Sequence, residues 1–335
     1  MDLAVAPDGT LYFAAMGFNR ETSEGTHITI GVSTDKGEHW RWQFLSQSRF
    51  DDRPWVKVAP DGAVHVIWND GGGVWHRRSD DRGVSWSDAR RVTTAGGSSH
   101  LAVGEDGLVA IRVSAISASA NRFDAQADAI AVSRDGGASW ALRDLPARVE
   151  WDPTFADPNA VPRWVEPLAW SDGRLYHLWS EGSTLMLGVS DDTGFTWEKT
   201  VLSEEEGVAF FPLLVSLGSH LAATWFVKAA SSQEATQEAT GSLFARAARL
   251  KLIELDRPPV AIFSDPLKLQ SWNEVGDANT ERVPSTAGEY ITPVFLPDGD
   301  VGVVAPIQDD VNRRWGFRFW RLSASQAGME SVARR

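Results

Sequence analysis

The stretch Ser33–Trp40 reads STDKGEHW, and its pattern Ser-x-Asp-x-Gly-x-x-Trp returns three more times along the chain. The further copies are SDDRGVSW from Ser79, SRDGGASW from Ser133 and SDDTGFTW from Ser190. In a turn, Asp can accept backbone N–H bonds, Gly can adopt the left-handed conformation, and Ser offers one more local bond. The Trp then lies on the next strand and can bury its ring against its neighbours. We therefore interpret the octapeptide as a structural turn. Calcium binding is a weaker alternative, because each copy has too few oxygen ligands at the required spacing.

A second repeated element is an apolar run that alternates around a tight turn. Clear examples are LAVAPDGTLYFAA from Leu3 and WVKVAPDGAVHVIW from Trp55, and the other four runs begin at Leu101, Pro167, Pro212 and Thr292. Alternating apolar residues on both sides of Asp-Gly predict a β-hairpin, because Gly supplies the positive φ that the turn needs. In the first four copies a further β-run follows and ends in the octapeptide.

Four antiparallel strands repeated every 40–50 residues or so are typical of a β-propeller. The sequence therefore predicts an all-β fold, a six-bladed β-propeller with four-stranded antiparallel blades. We expect one domain over residues 1–335, with blades that start near residues 2, 53, 99, 164, 210 and 290. The chain shows no convincing helical periodicity, which argues against a helical or α/β fold.

Composition excludes several classes of function. The chain has 335 residues, no cysteine and a formal net charge of −13. Disulfides, thiolate metal sites and a cysteine nucleophile are therefore excluded. The negative charge, without a run of Lys or Arg, opposes binding to nucleic acid. No apolar run is long enough to predict a membrane span. The oligomeric state stays open.

The repeated octapeptide resembles the Asp-box, or bacterial neuraminidase repeat, of the sialidase superfamily. The resemblance covers residues 1–200 most strongly and implies a six-bladed propeller. It also implies that the octapeptides lie on the face away from the active site, so that Asp35, Asp81, Asp135 and Asp192 mark that face. A secreted or periplasmic location is implied as well. The first residues, MDLAVAPDGT, show no signal-peptide pattern, and we expect the natural product to carry additional N-terminal residues.

The resemblance implies a catalytic set of a Tyr nucleophile, a Glu that activates it and an acid/base Asp. Tyr290, in GEYITP, precedes the first strand of the last blade, and Glu166, in WVEP, precedes that of the fourth. The corresponding loop of the first blade has no Asp, and Glu24 is the substitute there. Each residue also has a structural interpretation: Tyr290 packs at a strand end, Glu166 bonds between blades, and Glu24 lies in a solvated loop.

The arginine triad that the resemblance implies for a sialic acid carboxylate is incomplete. The first arginine has no counterpart, and Ser180-Glu181 stands where the second is expected. Arg246 and Arg249 are candidates for the third. Each lost Arg–carboxylate contact removes about 1.5–3 kcal/mol, so ordinary sialidase activity is not expected.

Other arginines outside the strand patterns form a second candidate set for binding an anion or a sugar. Arg49 and Arg53 occur in SRFDDRPW, and Asp52 with Arg53 can instead form a structural salt bridge. The substrate-binding candidates are Arg20, Arg53, Arg163, Arg246 and Arg282.

Three functions are compatible with these residues. The first is a glycoside hydrolase acting on a terminal sugar of a glycan, with Tyr290, Glu166 and Glu24 around a pocket. The second is a non-catalytic propeller that binds a glycan or a protein. The third is a polysaccharide lyase, which needs a Tyr or His base and an Arg opposite a uronate carboxylate. No zinc motif, phosphate loop or nucleophile elbow occurs, so no cofactor or metal is expected.

Overall fold

The structure is a computed structural model that describes residues 1–114, 129–147, 166–230, 241–251, 260–272, 292–308 and 315–323. These residues form 24 strands and no helix. The strands assemble into six sheets, and each sheet consists of strands that follow one another along the chain. Neighbouring strands pair antiparallel throughout, as the Asp-Gly hairpin pattern predicts.

Sheets 1, 2 and 3 have four strands each. Sheet 1 contains β1 (Asp2–Val5), β2 (Leu11–Asn19), β3 (Glu24–Ser33) and β4 (Arg41–Ser46). Sheet 2 contains β5 (Asp52–Val58), β6 (Val64–Asn69), β7 (Val74–Ser79) and β8 (Arg90–Arg91). Sheet 3 contains β9 (Gly97–Val103), β10 (Val109–Ser114), β11 (Ala129–Ser133) and β12 (Ala141–Arg143).

Sheets 4, 5 and 6 follow in the same manner. Sheet 4 contains β13 (Leu168–Ser171), β14 (Arg174–Glu181), β15 (Thr184–Ser190) and β16 (Glu198–Glu204). Sheet 5 contains β17 (Val208–Leu217), β18 (His220–Ala230), β19 (Gly241–Lys251) and β20 (Val260–Phe263), and β21 (Leu267–Trp272) also pairs with β19. Sheet 6 contains β22 (Pro293–Phe295), β23 (Val301–Gln308) and β24 (Trp315–Leu322).

The predicted all-β class and the antiparallel sheets are confirmed. The first strands of the six sheets begin at Asp2, Asp52, Gly97, Leu168, Val208 and Pro293, close to the predicted blade starts. The third strand of the last repeat is also found, as β24. The tail that could supply a fourth strand, residues 324–335, lies outside the described residues. The arrangement of the six sheets as one ring stays a prediction.

The chain divides into two compact units. The first comprises Met1–Asp152 with Asp191–Thr196, and the second comprises Pro153–Ser190 with Trp197–Arg335. In the first unit, apolar clusters join sheet 1 to sheet 2 and sheet 2 to sheet 3. In the second unit, similar clusters join sheet 4 to sheet 5 and sheet 5 to sheet 6. Sheet-on-sheet packing of alternating side chains therefore forms the core of each unit.

The first and last sheets each keep one apolar face exposed. In sheet 1, alternate residues such as Tyr12 and Ile30 are buried against sheet 2. The other face carries exposed apolar side chains, namely Leu3, Val5, Trp42 and Phe44. In sheet 6, Val301 and Val303 pack toward sheet 5, and the opposite face exposes Val294, Val304, Phe317 and Phe319.

The octapeptides fold as the sequence predicts. In the third copy the hydroxyl of Ser133 donates to Oδ1 of Asp135 (2.7 Å) and accepts the N–H of Gly137 (2.8 Å). The same Oδ1 accepts the backbone N–H of Ser139 (2.9 Å). The residue before the repeated Gly of the octapeptide also has positive φ in every copy, which the sequence pattern does not reveal: Lys36, Arg82, Gly136 and Thr193.

The Trp side chains of the octapeptides are half-buried. Trp86 and Trp140 lie against the clusters that join their own sheet to the preceding one. The turn therefore links local hydrogen bonding to the packing of sheets, which accounts for its repetition.

Candidate functional site

Each of sheets 1 to 4 has two distinct ends. One end, which we call the octapeptide end, carries both the octapeptide and the turn between the first two strands. The opposite end, the loop end, carries the start of the first strand, the end of the second strand and the start of the third strand. Glu24 and Arg53 lie at loop ends in the first unit, and Glu166 lies at a loop end in the second. Tyr290, Arg163 and Arg282 fall outside the described residues.

At the loop end of sheet 4, Glu166 lies beside a histidine. Glu166 is 1% exposed and His177 is fully buried. The carboxylate Oε2 of Glu166 is 3.6 Å from Nε2 of His177. The other ring nitrogen, Nδ1, lies 3.1 Å from the carbonyl oxygen of Pro167, which can only accept, so Nδ1 carries a proton.

Aromatic packing fixes the His177 ring. It stacks on Trp179 at 5.4 Å with the planes 17° apart, and Trp197 approaches edge-on at 6.3 Å. The indole N–H of Trp179 in turn donates to Oε1 of Glu181 (2.7 Å). A buried carboxylate and an imidazole held in this way can exchange or hold a proton, and such pairs are candidates for acid–base chemistry. The sequence located Glu166 but gave no indication of His177 as its neighbour.

Arg246 is engaged inside the second unit. Its terminal nitrogen lies 3.5 Å from Oε2 of Glu205. Glu205 is itself nearly buried, and its Oε1 accepts the indole N–H of Trp225 (2.9 Å) and the hydroxyl of Ser203 (2.7 Å). The guanidinium of Arg246 also lies about 6 Å from the rings of Trp225 and Phe263. Arg246 therefore has a carboxylate partner in the same unit and lies near two aromatic rings. This environment is that of a structural residue rather than of a substrate-binding one.

Arg249 lies elsewhere in the same unit. Its guanidinium is next to Gly299, in the turn that joins the first two strands of sheet 6. Burial lowers the pKa of Arg249, and the nearby Asp300 opposes that shift. This turn corresponds to the octapeptide end in sheets 1 to 4, so Arg249 does not join the loop-end residues.

At the loop end of sheet 1, Glu24 pairs with Arg49 in bidentate fashion. Nε of Arg49 donates to Oε2 of Glu24 (2.9 Å), and a terminal nitrogen donates to Oε1. The hydrogen bonds from Arg49 lower the pKa of Glu24. An ionised carboxylate is a poor general acid, so this pairing disfavours the acid/base role predicted for Glu24. Arg20, from the same turn, is exposed.

Between sheets 1 and 2 the chain holds a buried carboxylate that the sequence analysis did not select. Asp51 is fully buried, and its Oδ2 accepts the backbone N–H of Ser48 (2.9 Å). Burial raises the pKa of Asp51. The following pair, Asp52 and Arg53, forms the expected salt bridge at 3.7 Å. The doublet of aspartates in DDRPW was the available signal for Asp51.

The described residues contain one group of side chains that could hold a metal ion. Donor atoms of Asp35, Glu38 and His39 lie within 4.8 Å of one another in the first octapeptide. Nδ1 of His39 already contacts Oδ2 of Asp35 at 2.7 Å. A cleft of about 450 Å³ lies beside this group and reaches Asp81 and Arg82 of the second octapeptide. Both features lie at the octapeptide end of the first unit, away from Glu24.

Comparison with solved structures identifies proteins of similar fold. A Dyadobacter fermentans protein of unknown function matches with a TM-score of 0.53 at 14% identity, over 96% of this chain and 93% of that one. A leech intramolecular trans-sialidase matches with a TM-score of 0.49 at 12% identity, over 98% of this chain and 68% of that one. Trypanosoma rangeli sialidase matches with a TM-score of 0.49 at 13% identity, over 99% of this chain and 55% of that one.

The other comparisons give no family assignment. No protein-family model matches this chain, and no curated protein matches it significantly. Among the described residues there is no helix long and apolar enough to cross a membrane.

Proposed function

We propose that the six sheets are the blades of one six-bladed β-propeller spanning residues 1–335. Six consecutive sheets built from strands in chain order support this arrangement. Four of them carry the same octapeptide turn at the same end, as expected for repeated blades. A closed ring would also cover the apolar faces of sheets 1 and 6.

Within that fold, the protein is a carbohydrate-active enzyme, a glycoside hydrolase that acts on a terminal sugar of a glycan. The observation that carries this proposal is Glu166, a buried carboxylate just before the first strand of sheet 4, 3.6 Å from His177. Burying a carboxylate is costly, so such a group is a candidate for function. A secreted or periplasmic location fits a glycan substrate.

In the proposed reaction, the phenol oxygen of Tyr290 attacks the anomeric carbon, and Glu166 accepts the phenol proton. The bond from the anomeric carbon to the leaving oxygen breaks as that oxygen takes a proton from water. Water then hydrolyses the aryl-glycoside bond to Tyr290, and Glu166 returns its proton to the phenol oxygen. The role of Tyr290 rests on its sequence position alone. His177, through its contact with Glu166, would hold that carboxylate in place.

The test is a panel of chromogenic glycosides, sialosides included, with the wild type, Glu166→Gln and Tyr290→Phe. We expect each variant to lose at least about 100-fold in rate on any glycoside that the wild type cleaves. Glu198→Gln, at an exposed position on β16, should keep full activity. Full activity in both Glu166→Gln and Tyr290→Phe would overturn the catalytic assignment.

A second candidate is a non-catalytic propeller that binds a glycan or a protein. The observation that favours it is the pairing of Arg49, Arg53 and Arg246 with internal carboxylates. Arginines engaged in this way are less available to a substrate carboxylate. Silence in the glycoside panel together with binding on a glycan array would support this candidate. Formation of unsaturated uronates, followed by ultraviolet absorbance, would instead indicate the polysaccharide lyase.

A further inference from the structure

We propose that the connection between sheets 1 and 2 forms a subsite for a neutral pyranose, with Phe50 as the stacking surface. The subsite consists of Phe50, Arg49 and Glu24, and Phe18 flanks it. This inference deepens the proposed function by naming the class of sugar. It rests on that function only in taking the ligand to be a glycan.

The first observation is the conformation of Phe50. Its φ is +70°, in the left-handed region, although it is a bulky non-glycine residue. Such residues persist only where their surroundings fix the backbone, and they cluster at functional positions. The residue is nevertheless 43% exposed. A strained backbone that presents an apolar ring to solvent is not explained by core packing.

The contacts around Phe50 hold this conformation in place. Its backbone N–H donates to the carbonyl oxygen of Gly25 (3.1 Å). The buried carboxylate of Asp51 accepts the N–H of Ser48 (2.9 Å), a hydrogen bond within the connection itself. Gly25 packs so tightly against this segment that a Cβ there would lie 1.7 Å from the carbonyl oxygen of Asp51. The backbone of Phe50 is therefore held in place before a ligand binds, which reduces the entropy lost on binding.

A second exposed aromatic residue lies opposite Gly25, the residue to which Phe50 is hydrogen-bonded. Phe18 is the register partner of Gly25 across the β2–β3 pair, and it is 55% exposed. The exposed ring of Phe50 offers an apolar face to a sugar ring, and Phe18 is placed to flank it in this proposal. The C–H groups of a pyranose carry partial positive charge and pack favourably on the electron-rich face of an aromatic ring.

The polar part of the subsite determines the class of sugar. The guanidinium of Arg49 lies 4.8 Å from the Phe50 ring centre and pairs with both carboxylate oxygens of Glu24. The Arg49 side chain is 70% exposed, and that of Glu24 is 19% exposed. The pair is neutral overall. It offers further N–H groups to sugar hydroxyls, but the carboxylate of Glu24 opposes an acidic sugar.

The net charge of the chain, −13, opposes an anionic ligand as well. The site therefore selects a neutral hexopyranose over a sialic acid or a uronate. This selection differs from that of a site built on unpaired arginines, because Arg49 is paired with Glu24.

The experiment is saturation-transfer and titration NMR with methyl β-galactopyranoside and methyl β-glucopyranoside as neutral probes. Methyl β-glucuronide and the methyl glycoside of N-acetylneuraminic acid are the acidic probes. We expect the wild type to bind at least one neutral probe more tightly than either acidic probe. Phe50→Ala should weaken that binding at least about tenfold, whereas Phe50→Tyr should retain it.

Two further variants sharpen the test. Phe195→Ala removes an exposed ring in the fourth octapeptide and should leave binding unchanged. Glu24→Gln leaves Arg49 without its neutralising carboxylate and should shift the preference toward the acidic probes. Melting temperatures of all variants show whether they fold.

Several outcomes overturn the proposal. These are no binding of any probe to the wild type, tighter binding of the acidic probes, or unchanged binding in a folded Phe50→Ala variant. Failure of the hydrolase assignment is separate. If Glu166→Gln keeps glycosidase activity while binding depends on Phe50, the catalytic assignment fails and the subsite stands. If hydrolysis requires Glu166 but neutral binding ignores Phe50, the subsite fails and the hydrolase stands.

Discussion

At the scale of single residues, the first serine of the octapeptide is held in the turn by two hydrogen bonds of its hydroxyl group. Ser133 is buried, and it both donates to Asp135 and accepts from the N–H of Gly137. Ser133→Ala leaves the Gly137 N–H buried without an acceptor. We expect a loss of about 1–3 kcal/mol in the free energy of unfolding, measured by urea denaturation.

A neighbouring serine supplies the matched control for this substitution. Ser139 is exposed, and its hydroxyl donates only to Oδ2 of Asp135 (2.6 Å). Ser139→Ala should cost less than Ser133→Ala because water can replace the lost contact. Equal losses of unfolding free energy in the two variants would show that the buried N–H of Gly137 does not dominate the cost of Ser133→Ala.

A buried histidine pair predicts a dependence of stability on pH. Nδ1 of His65 lies 2.9 Å from Nε2 of His76, and both residues are 1% exposed. Burial lowers the pKa of His65 to about 4 and that of His76 to about 3. The charged groups that act on the pair are Arg78 and Arg90, which oppose protonation, and Asp61 and Asp80, which favour it.

The sign follows from the unfolded state. There the two histidines bind protons near pH 6.5, so below that value the unfolded chain binds more protons than the folded one. The free energy of unfolding should therefore fall as the pH drops from 6.5 toward 4. Urea titrations between pH 7.5 and 4.5 measure this fall, and NMR of the imidazole protons should find both rings neutral at pH 5. Two rings that titrate near pH 6.5 would contradict the prediction.

At the scale of elements, Gly25 joins β3 to the connection that follows sheet 1. A methyl group there would collide with the backbone of Asp51, which cannot rotate away as a side chain could. Gly25→Ala should cost about 1–3 kcal/mol or more in unfolding free energy. It should also weaken binding of the neutral glycosides, because Phe50 is bonded to the Gly25 carbonyl.

Gly9 provides a control of a different kind. Its φ is +85°, but no atom lies within 4 Å of the position that a Cβ would take there. Gly9→Ala should therefore cost only the backbone strain, about 1–2 kcal/mol, with no change in glycoside binding. Loss of binding in Gly9→Ala would mean that binding responds to general destabilisation.

The elements could be predicted from the sequence far better than the contacts of the candidate site. Strand starts follow from alternation and Asp-Gly turns, which are local signals, and the octapeptide bonds span only four residues. Glu24 and Arg49 are 25 residues apart and meet only because β3 and β4 fold back on each other. His177 likewise reaches Glu166 across the β13–β14 pair. Residue type and spacing along the chain do not predict such long-range contacts. The sequence could therefore identify Glu166 as a candidate but not His177 as its neighbour.

At the scale of the whole molecule, the proposed ring makes the outer faces of the first and last sheets informative. Phe319 is 55% exposed and covers Gly302, where a built Cβ would lie 2.8 Å from the ring. In a closed propeller both faces of every sheet are covered. Phe319→Ser should then cost about 3–5 kcal/mol, as for a buried aromatic.

Urea unfolding of Phe319→Ser measures this cost directly. An exposed ring would give a change within about 0.5 kcal/mol, and that result would contradict the closed ring. Phe195→Ser, at an exposed turn position, is the matched control.

Every sheet is made of strands that are consecutive in the chain, and this order has a consequence for biosynthesis. Pairing of neighbours in sequence keeps contact order low within a sheet, which favours rapid local folding. As the chain leaves the ribosome, sheet 1 can be completed before sheet 2 has been translated. The octapeptide closes its bonds within a few residues, so the third and fourth strands of a blade can be joined as soon as they emerge. Within each unit, growth of the chain then adds one sheet at a time, and each new sheet finds the apolar face of the preceding one already formed.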